Sequence, residues 1–309
     1  MSKKIVFMGT PNFAVPILKS LYQNGFPISA VYTQPPKKSD RGQKINKSPI
    51  HLISETLNLE IRTPSTLLNN NDEKIFLKNL NLDLAIVVAY GQIIPNDILE
   101  CSKKGFINIH ASLLPKWRGA APIQRAIMNL DDETGISFMK INEKLDSGPV
   151  CNKYKIKILS NENSEELSVR LSSLAADKIM ENVDKIFEED IKFVEQKHSD
   201  STYAKKIKKL EGKIDWSDDA KNIIGKINAL HPSPGAWFIF KGERYKILKA
   251  ILCSTKGEIG QVLNENLEIA CGNNSLRILE IQREGKRSQK INEFILGTKI
   301  KIGSNLNNA

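Results

Sequence analysis

The opening of the chain constrains its fold most, because it has the pattern of a strand, a helix and a second strand. An apolar run over residues 3–8 ends at Gly9-Thr10-Pro11. Apolar residues then recur with helical spacing from Phe13 to Leu21, and residues 28–33 form a second apolar run. Two strands joined through a helix lie parallel in one sheet, with the helix packed on its face. The sequence therefore predicts an α/β fold built on a parallel sheet.

The same alternation of apolar runs and amphipathic segments continues along the chain and predicts one N-terminal domain over residues 1–189. Apolar and alternating runs predict further strands at 83–88, 105–109, 135–141 and 150–158. Amphipathic segments predict helices at 50–58, 72–80, 121–129 and 164–188.

The sequence changes character after residue 189. Residues 189–213 are polar and basic without a clear period, and we assign residues 190–205 as a linker. Beyond the linker, short β-rich runs are separated by Gly and Asn, which is typical of a small barrel or sandwich. Five such strands with a helix fit an OB-like barrel over residues 206–309, a fold often used to bind nucleic acid. The predicted strands are 236–240, 244–252, 259–263, 267–271 and 275–281.

Composition narrows the class of protein. The four cysteines are scattered without a Cys-x-x-Cys pair, which favours reduced thiols in the cytoplasm over a disulfide framework or a zinc site. No apolar stretch approaches the ~20 residues of a membrane span. Met1-Ser2-Lys3-Lys4 leads straight into the first predicted strand without an apolar signal segment. We therefore expect a cytoplasmic monomer with no metal site and no membrane partner.

The formal net charge of +10 has two explanations. One is a lysine-rich coding bias, and the other is a polyanionic partner. The distribution of the basic residues favours a polyanionic partner, because they form three runs that flank the predicted barrel. Clustered lysines and arginines of this kind suit contacts to the phosphates of a nucleic-acid backbone. The runs are Lys37, Lys38, Arg41, Lys44 and Lys47; Lys205, Lys206, Lys208, Lys209 and Lys213; and Arg283, Lys286, Arg287 and Lys290.

Asn108 and His110 stand at the end of the run that predicts the strand at 105–109, and Asp146 follows further along. Residues two apart on a strand project to one face, so the carboxamide and the imidazole share one space. Taken singly, Asn108 and Asp146 fit turn residues, and His110 fits a structural histidine equally well. Together, an amide, an imidazole and a carboxylate stabilise an oxyanion and move a proton without a Ser or Cys nucleophile. This chemistry suits direct transfer of a group from a carrier to an amine.

Gly9-Thr10-Pro11 follows the first strand, where a dinucleotide-binding turn would stand. It lacks the second and third glycines of that turn. We therefore interpret it as an ordinary tight turn, which removes the main support for a dehydrogenase.

A longer match surrounds the Asn-x-His pair. Residues 108–115 resemble the signature of the formyltransferases that use 10-formyltetrahydrofolate, and residues 116–127 are similar to the members of that family that act on methionyl-tRNA. The resemblance covers nearly the whole chain, and it implies a Rossmann-like parallel sheet with flanking helices followed by a smaller OB-like β-barrel domain. Further matching segments are Gly9-Thr10-Pro11, Thr33-Gln34-Pro35, Arg41-Gly42, Val87-Val88-Ala89-Tyr90-Gly91, Leu145-Asp146-Ser147-Gly148, Ile214-Asp215-Trp216 and Pro232-Ser233-Pro234-Gly235-Ala236-Trp237.

The resemblance also implies an activity and its residues. A formyl group would pass from 10-formyltetrahydrofolate, the cosubstrate, to the α-amine of initiator methionyl-tRNA, with Asn108, His110 and Asp146 as catalytic residues. Residues 36–42 depart from the common family pattern, and Lys144 stands where Gly is common. The implied folate contacts are Ser112, Leu113, Leu114 and Pro115, with Tyr90 and Gly91 beside the pteridine pocket. For tRNA we select Arg41, Lys37, Lys38, Lys44, Lys206 and Lys209.

Two other functions remain open at this stage. The chain could formylate another amine, such as a glycinamide ribotide or an amino sugar nucleotide, but the basic loop and the C-terminal domain would then be unexplained. Alternatively it could bind RNA with a vestigial α/β domain, but the intact trio of Asn108, His110 and Asp146 argues against that. A folate-binding assay with and without RNA separates the three hypotheses.

Overall fold

The computed structural model describes residues 3–39 and 44–307. Its contacts divide the chain into two compact units. Unit 1 consists of Met1–Gly119, Gly135–Ile156 and Ser168–Tyr203, and unit 2 of Ala120–Thr134, Lys157–Leu167 and Ala204–Ala309. Unit 2 therefore includes two short segments that precede residue 168. The predicted linear division at residues 189 and 206 stays a prediction.

The first 204 residues hold most of the helices and eleven strands among the described residues. The strands are β1 (Ile5–Gly9), β2 (Ile28–Tyr32), β3 (Lys37–Ser39), β4 (Lys44–Asn46), β5 (Ile61–Arg62), β6 (Leu84–Val88), β7 (Phe106–His110), β8 (Arg118–Gly119), β9 (Glu133–Lys140), β10 (Val150–Lys157) and β11 (Tyr203–Ala204). The α-helices are α1 (Val15–Gln23), α2 (Pro49–Thr56), α3 (Asn71–Asn79), α4 (Asn96–Leu99), α5 (Pro122–Met128) and α6 (Ser164–Glu188).

A seven-stranded sheet in the order β10-β9-β7-β6-β1-β2-β5 organises the N-terminal half. The pairs from β5 through β2, β1 and β6 to β7 are all parallel, whereas β9 runs antiparallel to β7. Every residue of β1 and β6 is buried, because a central parallel strand is covered on both faces and must be apolar throughout. The predicted parallel-dominated α/β sheet is confirmed.

The carboxyl ends of the parallel strands meet at one edge of this sheet, and their loops are tied together there. The Thr10 hydroxyl, after β1, donates to the carbonyl oxygen of Tyr90, after β6, at 2.8 Å. The Gln34 amide, after β2, donates to the same oxygen at 3.3 Å. This is the edge at which open α/β sheets bind ligands.

The long helix α6 packs on α1 along the part that belongs to unit 1. Its buried Leu171, Ala175, Ile179 and Val183 recur every four residues and form one apolar stripe. The Ser20 hydroxyl of α1 donates to the carbonyl oxygen of Ala176 at 2.9 Å. The stripe explains why the sequence pattern predicted this helix.

Unit 2 contains a separate five-stranded antiparallel sheet in the order β12-β13-β15-β14, with β16 paired to β15. The sheet confirms a second, β-rich domain. Its elements are β12 (Ala236–Phe240), β13 (Glu243–Cys253), β14 (Glu268–Ala270), β15 (Ser275–Arg283) and β16 (Ser288–Lys290), with the helices α7 (Ala220–Leu230) and α8 (Ile291–Phe294).

The short elements α4, β5, β8, β11, β16 and α8 were not predicted, and three further differences from the sequence-based prediction stand out. Residues 259–263 form only isolated bridges, because Gly260 adopts a φ of +80° that interrupts an extended strand. The helix α7 was not predicted, although eight of its eleven residues are buried. The hairpin of β3 and β4 was also not predicted, because its residues are polar and show no apolar alternation.

Within the described residues, no helix is both long and apolar enough to cross a membrane.

Candidate active site

The structure brings Asn108, His110 and Asp146 together at the carboxyl edge of the sheet. Asn108 and His110 lie on β7, where Asn108 pairs with Val87 of β6. Asp146 lies in the turn between β9 and β10 and has a φ of +44°, a left-handed conformation that Asp tolerates better than most residues. The amide Nδ2 of Asn108 donates to Oδ1 of Asp146 at 3.4 Å.

The imidazole of His110 has an acceptor on each side. Its Nε2 lies 2.9 Å from the carbonyl oxygen of Trp117, which only accepts, so Nε2 carries a hydrogen. Its Nδ1 lies 3.6 Å from Oδ2 of Asp146. At 3.6 Å this contact is longer than a hydrogen bond. Nδ1 is the ring nitrogen that faces the Asp146 carboxylate, which also accepts from Asn108.

The carboxylate of Asp146 is held by the main chain. Its Oδ2 accepts a hydrogen bond from the backbone N–H of Gly119 at 2.8 Å, and 16% of the side chain is exposed. This backbone donor fixes the direction of the carboxylate. Gly119 and Trp117 are thus site residues that sequence reasoning missed, because both act through main-chain atoms, although both lie within the matched segment 116–127.

Among the described residues, no group of three or more His, Cys, Asp or Glu side chains has a metal-binding arrangement.

Comparison with known proteins identifies the family. The family model "Formyl transferase" matches residues 3–183, and "Formyl transferase, C-terminal domain" matches residues 206–299. A methionyl-tRNA formyltransferase of Pelagibacter ubique is 64% identical over 309 residues, which is the full length of both chains. The chain belongs to the methionyl-tRNA formyltransferase family. A member of this family from Chelativorans sp. is 41% identical over 311 residues, covering 99% of this chain and 100% of the relative.

Solved structures of other formyltransferases share the fold. WlaRD, a sugar 3N-formyl transferase, matches with a TM-score of 0.70 at 23% identity, covering 93% of this chain and 100% of that chain. An N-formyltransferase from Helicobacter canadensis matches with a TM-score of 0.67 at 20% identity, covering 90% of this chain and 99% of that chain. At these identities the likeness concerns the fold alone.

The segment that the formyltransferase resemblance assigns to folate is internally bonded. The hydroxyl of Ser112 donates to the carbonyl oxygen of Lys116 at 2.6 Å. The hydroxyl of Ser137 donates to the carbonyl oxygen of Ser112 at 2.7 Å and accepts from the N–H of Leu114 at 3.0 Å. Ser112 and Leu114 are buried, whereas Leu113 and Pro115 are half-buried. Of these four residues, only Leu113 and Pro115 are partly accessible to solvent.

Tyr90 and Gly91 follow β6, the strand next to β7. Tyr90 is 2% exposed, and burial raises the pKa of its hydroxyl above the ordinary value. Its hydroxyl oxygen and the carbonyl oxygen Oε1 of Gln92 have no hydrogen-bond partner in the described part of the chain. Gly91 has a φ of +84°, which only glycine adopts without strain. Gln92 lies within residues 90–95, the stretch that the formyltransferase resemblance places along the pteridine pocket.

The residues that we selected for tRNA from the basic runs lie in two places. Lys37 is exposed at the start of the β3–β4 hairpin, and Lys38 and Lys44 lie on its two strands. Lys206 and Lys209 are exposed in unit 2. Arg41 lies outside the described residues.

Proposed function

We propose that the chain transfers the formyl group of 10-formyltetrahydrofolate to the α-amine of methionine esterified to initiator tRNA, for translation initiation. The proposal rests on one observation above all. A chain 64% identical over its full length to a methionyl-tRNA formyltransferase brings Asn108, His110 and Asp146 into one site. The reaction class, transfer of a formyl group, follows from family membership.

A folate donor is supported by two kinds of observation. HypX from Aquifex aeolicus was solved in complex with tetrahydrofolic acid, and the Helicobacter canadensis enzyme with folinic acid. In the segment that follows β6, the strand next to β7, Gln92 Oε1 and the Tyr90 hydroxyl are buried and unpartnered among the described residues, which fits a ligand that carries polar ring atoms. When bound, the donor supplies the formyl carbon and the nitrogen N10 that leaves it.

Asn108 and His110 would stabilise the charge that develops on the formyl oxygen. One N–H of the Asn108 amide points to Asp146, which leaves the other to donate to the oxygen. The Nδ1 atom of His110 is the ring nitrogen available for a second bond, because Nε2 is engaged with Trp117. A protonated ring makes that bond charge-assisted and hence stronger.

Asp146 would combine electrostatic and acid–base roles. Its carboxylate would offset the positive charge of a protonated His110 ring, and it would accept the proton that the attacking amine loses, directly or through one water. The amine gains a bond to the formyl carbon and loses one proton, while the bond from that carbon to N10 breaks and N10 gains one proton. Protons and electrons therefore balance without an oxidant or a reductant.

The basic residues would bind the tRNA backbone. Lys206 and Lys209 are exposed in a lysine-rich segment, and Lys37, Lys38, Arg41 and Lys44 belong to a second basic segment. Phosphate contacts of this kind are independent of sequence and weaken as salt concentration rises. Arg41 is our choice for the key contact, since its planar guanidinium grips a phosphate or stacks on a base, whereas a lysine acts as a point charge.

The decisive experiment incubates the protein with 10-formyltetrahydrofolate and methionyl initiator tRNA, followed by mass measurement of the released aminoacyl group. We expect one added formyl group that depends on the folate. An amino sugar nucleotide and glycinamide ribotide serve as competing acceptors in parallel reactions. Faster formylation of either acceptor, with an unmodified methionyl ester, would refute the proposal.

A further inference from the structure

The main chain of Asp146 is held by a buried side chain that lies fifty residues further along. The amide Nε2 of Gln196 donates to the carbonyl oxygen of Asp146 at 2.9 Å and to that of Gly148 at 2.7 Å. Gln196 is 7% exposed. One amide group thus fixes both ends of the turn that carries the carboxylate, and this turn includes the left-handed φ of Asp146.

Gln196 is itself oriented by a buried guanidinium. Its Oε1 accepts hydrogen bonds from Nε and Nη2 of Arg118 at 3.1 and 2.7 Å, and Arg118 is 3% exposed. The guanidinium also lies 3.1 Å from Nδ1 of His198, which must accept because arginine only donates. Because Oε1 must face the donors of Arg118, the Gln196 amide has only one orientation, in which its N–H groups point toward the turn.

The neighbours of Arg118 contact the catalytic side chains directly. The carbonyl oxygen of Trp117 accepts from the His110 ring, and the N–H of Gly119 donates to the Asp146 carboxylate. Arg118 lies between them in sequence, so anchoring its side chain also anchors both main-chain contacts. A closed ring of bonds therefore runs from the carboxylate of Asp146 through Gly119, Arg118 and Gln196 back to the carbonyl of Asp146.

We propose that Gln196 and Arg118 are positioning residues for the formyl transfer. They fix the positions of the Asp146 carboxylate and the His110 ring relative to each other, and they do so without contact with either substrate. The inference rests on the proposed function, because it concerns the same trio. A displacement of about 1 Å in a catalytic group lowers a rate by as much as ~10²-fold. Loss of this support should consequently appear in turnover rather than in binding.

Gln196→Glu is the sharpest variant, because it separates positioning from stability. A glutamate keeps the acceptor for Arg118 and adds a charge, but it places an oxygen where the amide donated to two carbonyl oxygens. The turn should then shift while the anchor remains. We expect kcat for methionyl-tRNA formylation to fall about 30- to 100-fold. The KM values for tRNA and folate should stay within about threefold, and Tm within about 3 °C.

Asn182→Ala is the matched control. Asn182 is a fully buried amide of the same unit that accepts from Asn152 at 2.7 Å and donates to the Tyr154 hydroxyl at 2.9 Å, with no bond to the site. The Asn182→Ala substitution should lower Tm, while kcat stays within about threefold of the value for the parent. Arg118→Lys, which loses the forked geometry, should resemble Gln196→Glu in kcat.

The outcomes are distinguishable. If the parent protein does not formylate methionyl-tRNA, the proposed function fails. If the parent is active, the positioning role is overturned by a Gln196→Glu variant with kcat within threefold of the parent. It is also overturned if that variant loses folate or tRNA affinity in proportion to turnover, or if it fails to fold, because either result assigns the amide to binding or to stability.

Discussion

Arg125 and Glu211 form an ion pair in unit 2, with Nη1 of the arginine 2.7 Å from Oε2 of the glutamate. The same guanidinium donates to the carbonyl oxygen of Lys205 at 3.2 and 3.0 Å. Glu211 in turn accepts from the N–H of Lys208 at 2.7 Å. Arg125, on α5, therefore holds both ends of a segment that carries the exposed Lys206 and Lys209.

Glu211→Ala should weaken use of tRNA, because the lysine-rich segment loses an anchor. We expect kcat/KM for methionyl-tRNA to fall about two- to fivefold, the range for a partly exposed ion pair. Folate affinity should be unchanged. Asp218→Ala is the matched control, since it removes another partly exposed pair of unit 2, with Lys226 at 3.7 Å. Equal effects of the two variants on kcat/KM would contradict the anchoring role.

The same pair should give a pH-dependent contribution to stability. The hydrogen bond from Arg125 holds the pKa of Glu211 below its ordinary value of 4.5. A carboxylate whose pKa is lowered on folding stabilises the protein above its unfolded pKa and loses that effect as pH falls through its folded pKa. The Tm difference between parent and Glu211→Ala should therefore be present at pH 7 and shrink as the pH falls below 4.5. A difference that grows on acidification would contradict the assignment.

Asp146→Asn should nearly abolish turnover while folate and tRNA binding survive. An asparagine keeps the size of the side chain and an acceptor for the Gly119 N–H, but it neither favours an imidazolium nor accepts a proton. Single-turnover rates with saturating substrates, together with filter binding of charged tRNA, give the two readouts. Turnover within a few-fold of the parent would remove the catalytic role of the carboxylate.

Asn108→Ala and His110→Ala should each slow the chemical step by about 10²- to 10³-fold, the usual cost of losing an oxyanion donor. The double variant should cost less than the product of the two single effects, because both groups act on one oxygen. Rapid-quench measurement of formyl-methionyl-tRNA formation by the four proteins completes the cycle. Fully multiplicative effects would argue against a shared oxyanion.

Glu73→Ala should destabilise unit 1. Glu73 is 8% exposed and accepts from the Tyr32 hydroxyl at 2.6 Å and from Nε of Arg62 at 2.7 Å. We expect a loss of about 3 kcal/mol in urea unfolding, the lower end for a broken buried pair, because Arg62 remains 25% exposed. Glu60→Ala removes the half-exposed partner of the same arginine and should cost at most about 1 kcal/mol. Similar losses in both variants would be inconsistent with this reasoning.

The sequence predicted the buried strands well, and physical reasons explain what it missed. The runs at 83–88 and 105–109 correspond to β6 and β7 within one residue, because a strand covered on both faces needs an uninterrupted apolar run. The helix α7 carried a readable pattern. Its Ile223, Ile224 and Ile227 share one face behind the capping Asp219. Its position between two polar stretches obscured that signal.

The residues of the candidate site likewise fall into those that the sequence could predict and those that it could not. Asn108 and His110 were predictable as a pair, because strand periodicity places residues two apart on one face. Gly119 and Gln196 were not, since the first acts through its N–H and the second meets Asp146 across fifty residues. A main-chain donor has no residue signature, and a glutamine has no local pattern that distinguishes a structural amide from an exposed one.

The interleaving of the two units limits how relatives can be recombined. Gly119 belongs to unit 1 and Ala120 to unit 2, so a single crossover in the linker would join a foreign C-terminal half to the original α5. That helix packs on α7 and carries Arg125, the partner of Glu211. Hybrid genes should therefore exchange residues 120–134 and 157–167 together with 204–309. We expect substitutions in these three stretches to depend on one another during evolution, because the stretches form one unit although they lie far apart in the gene.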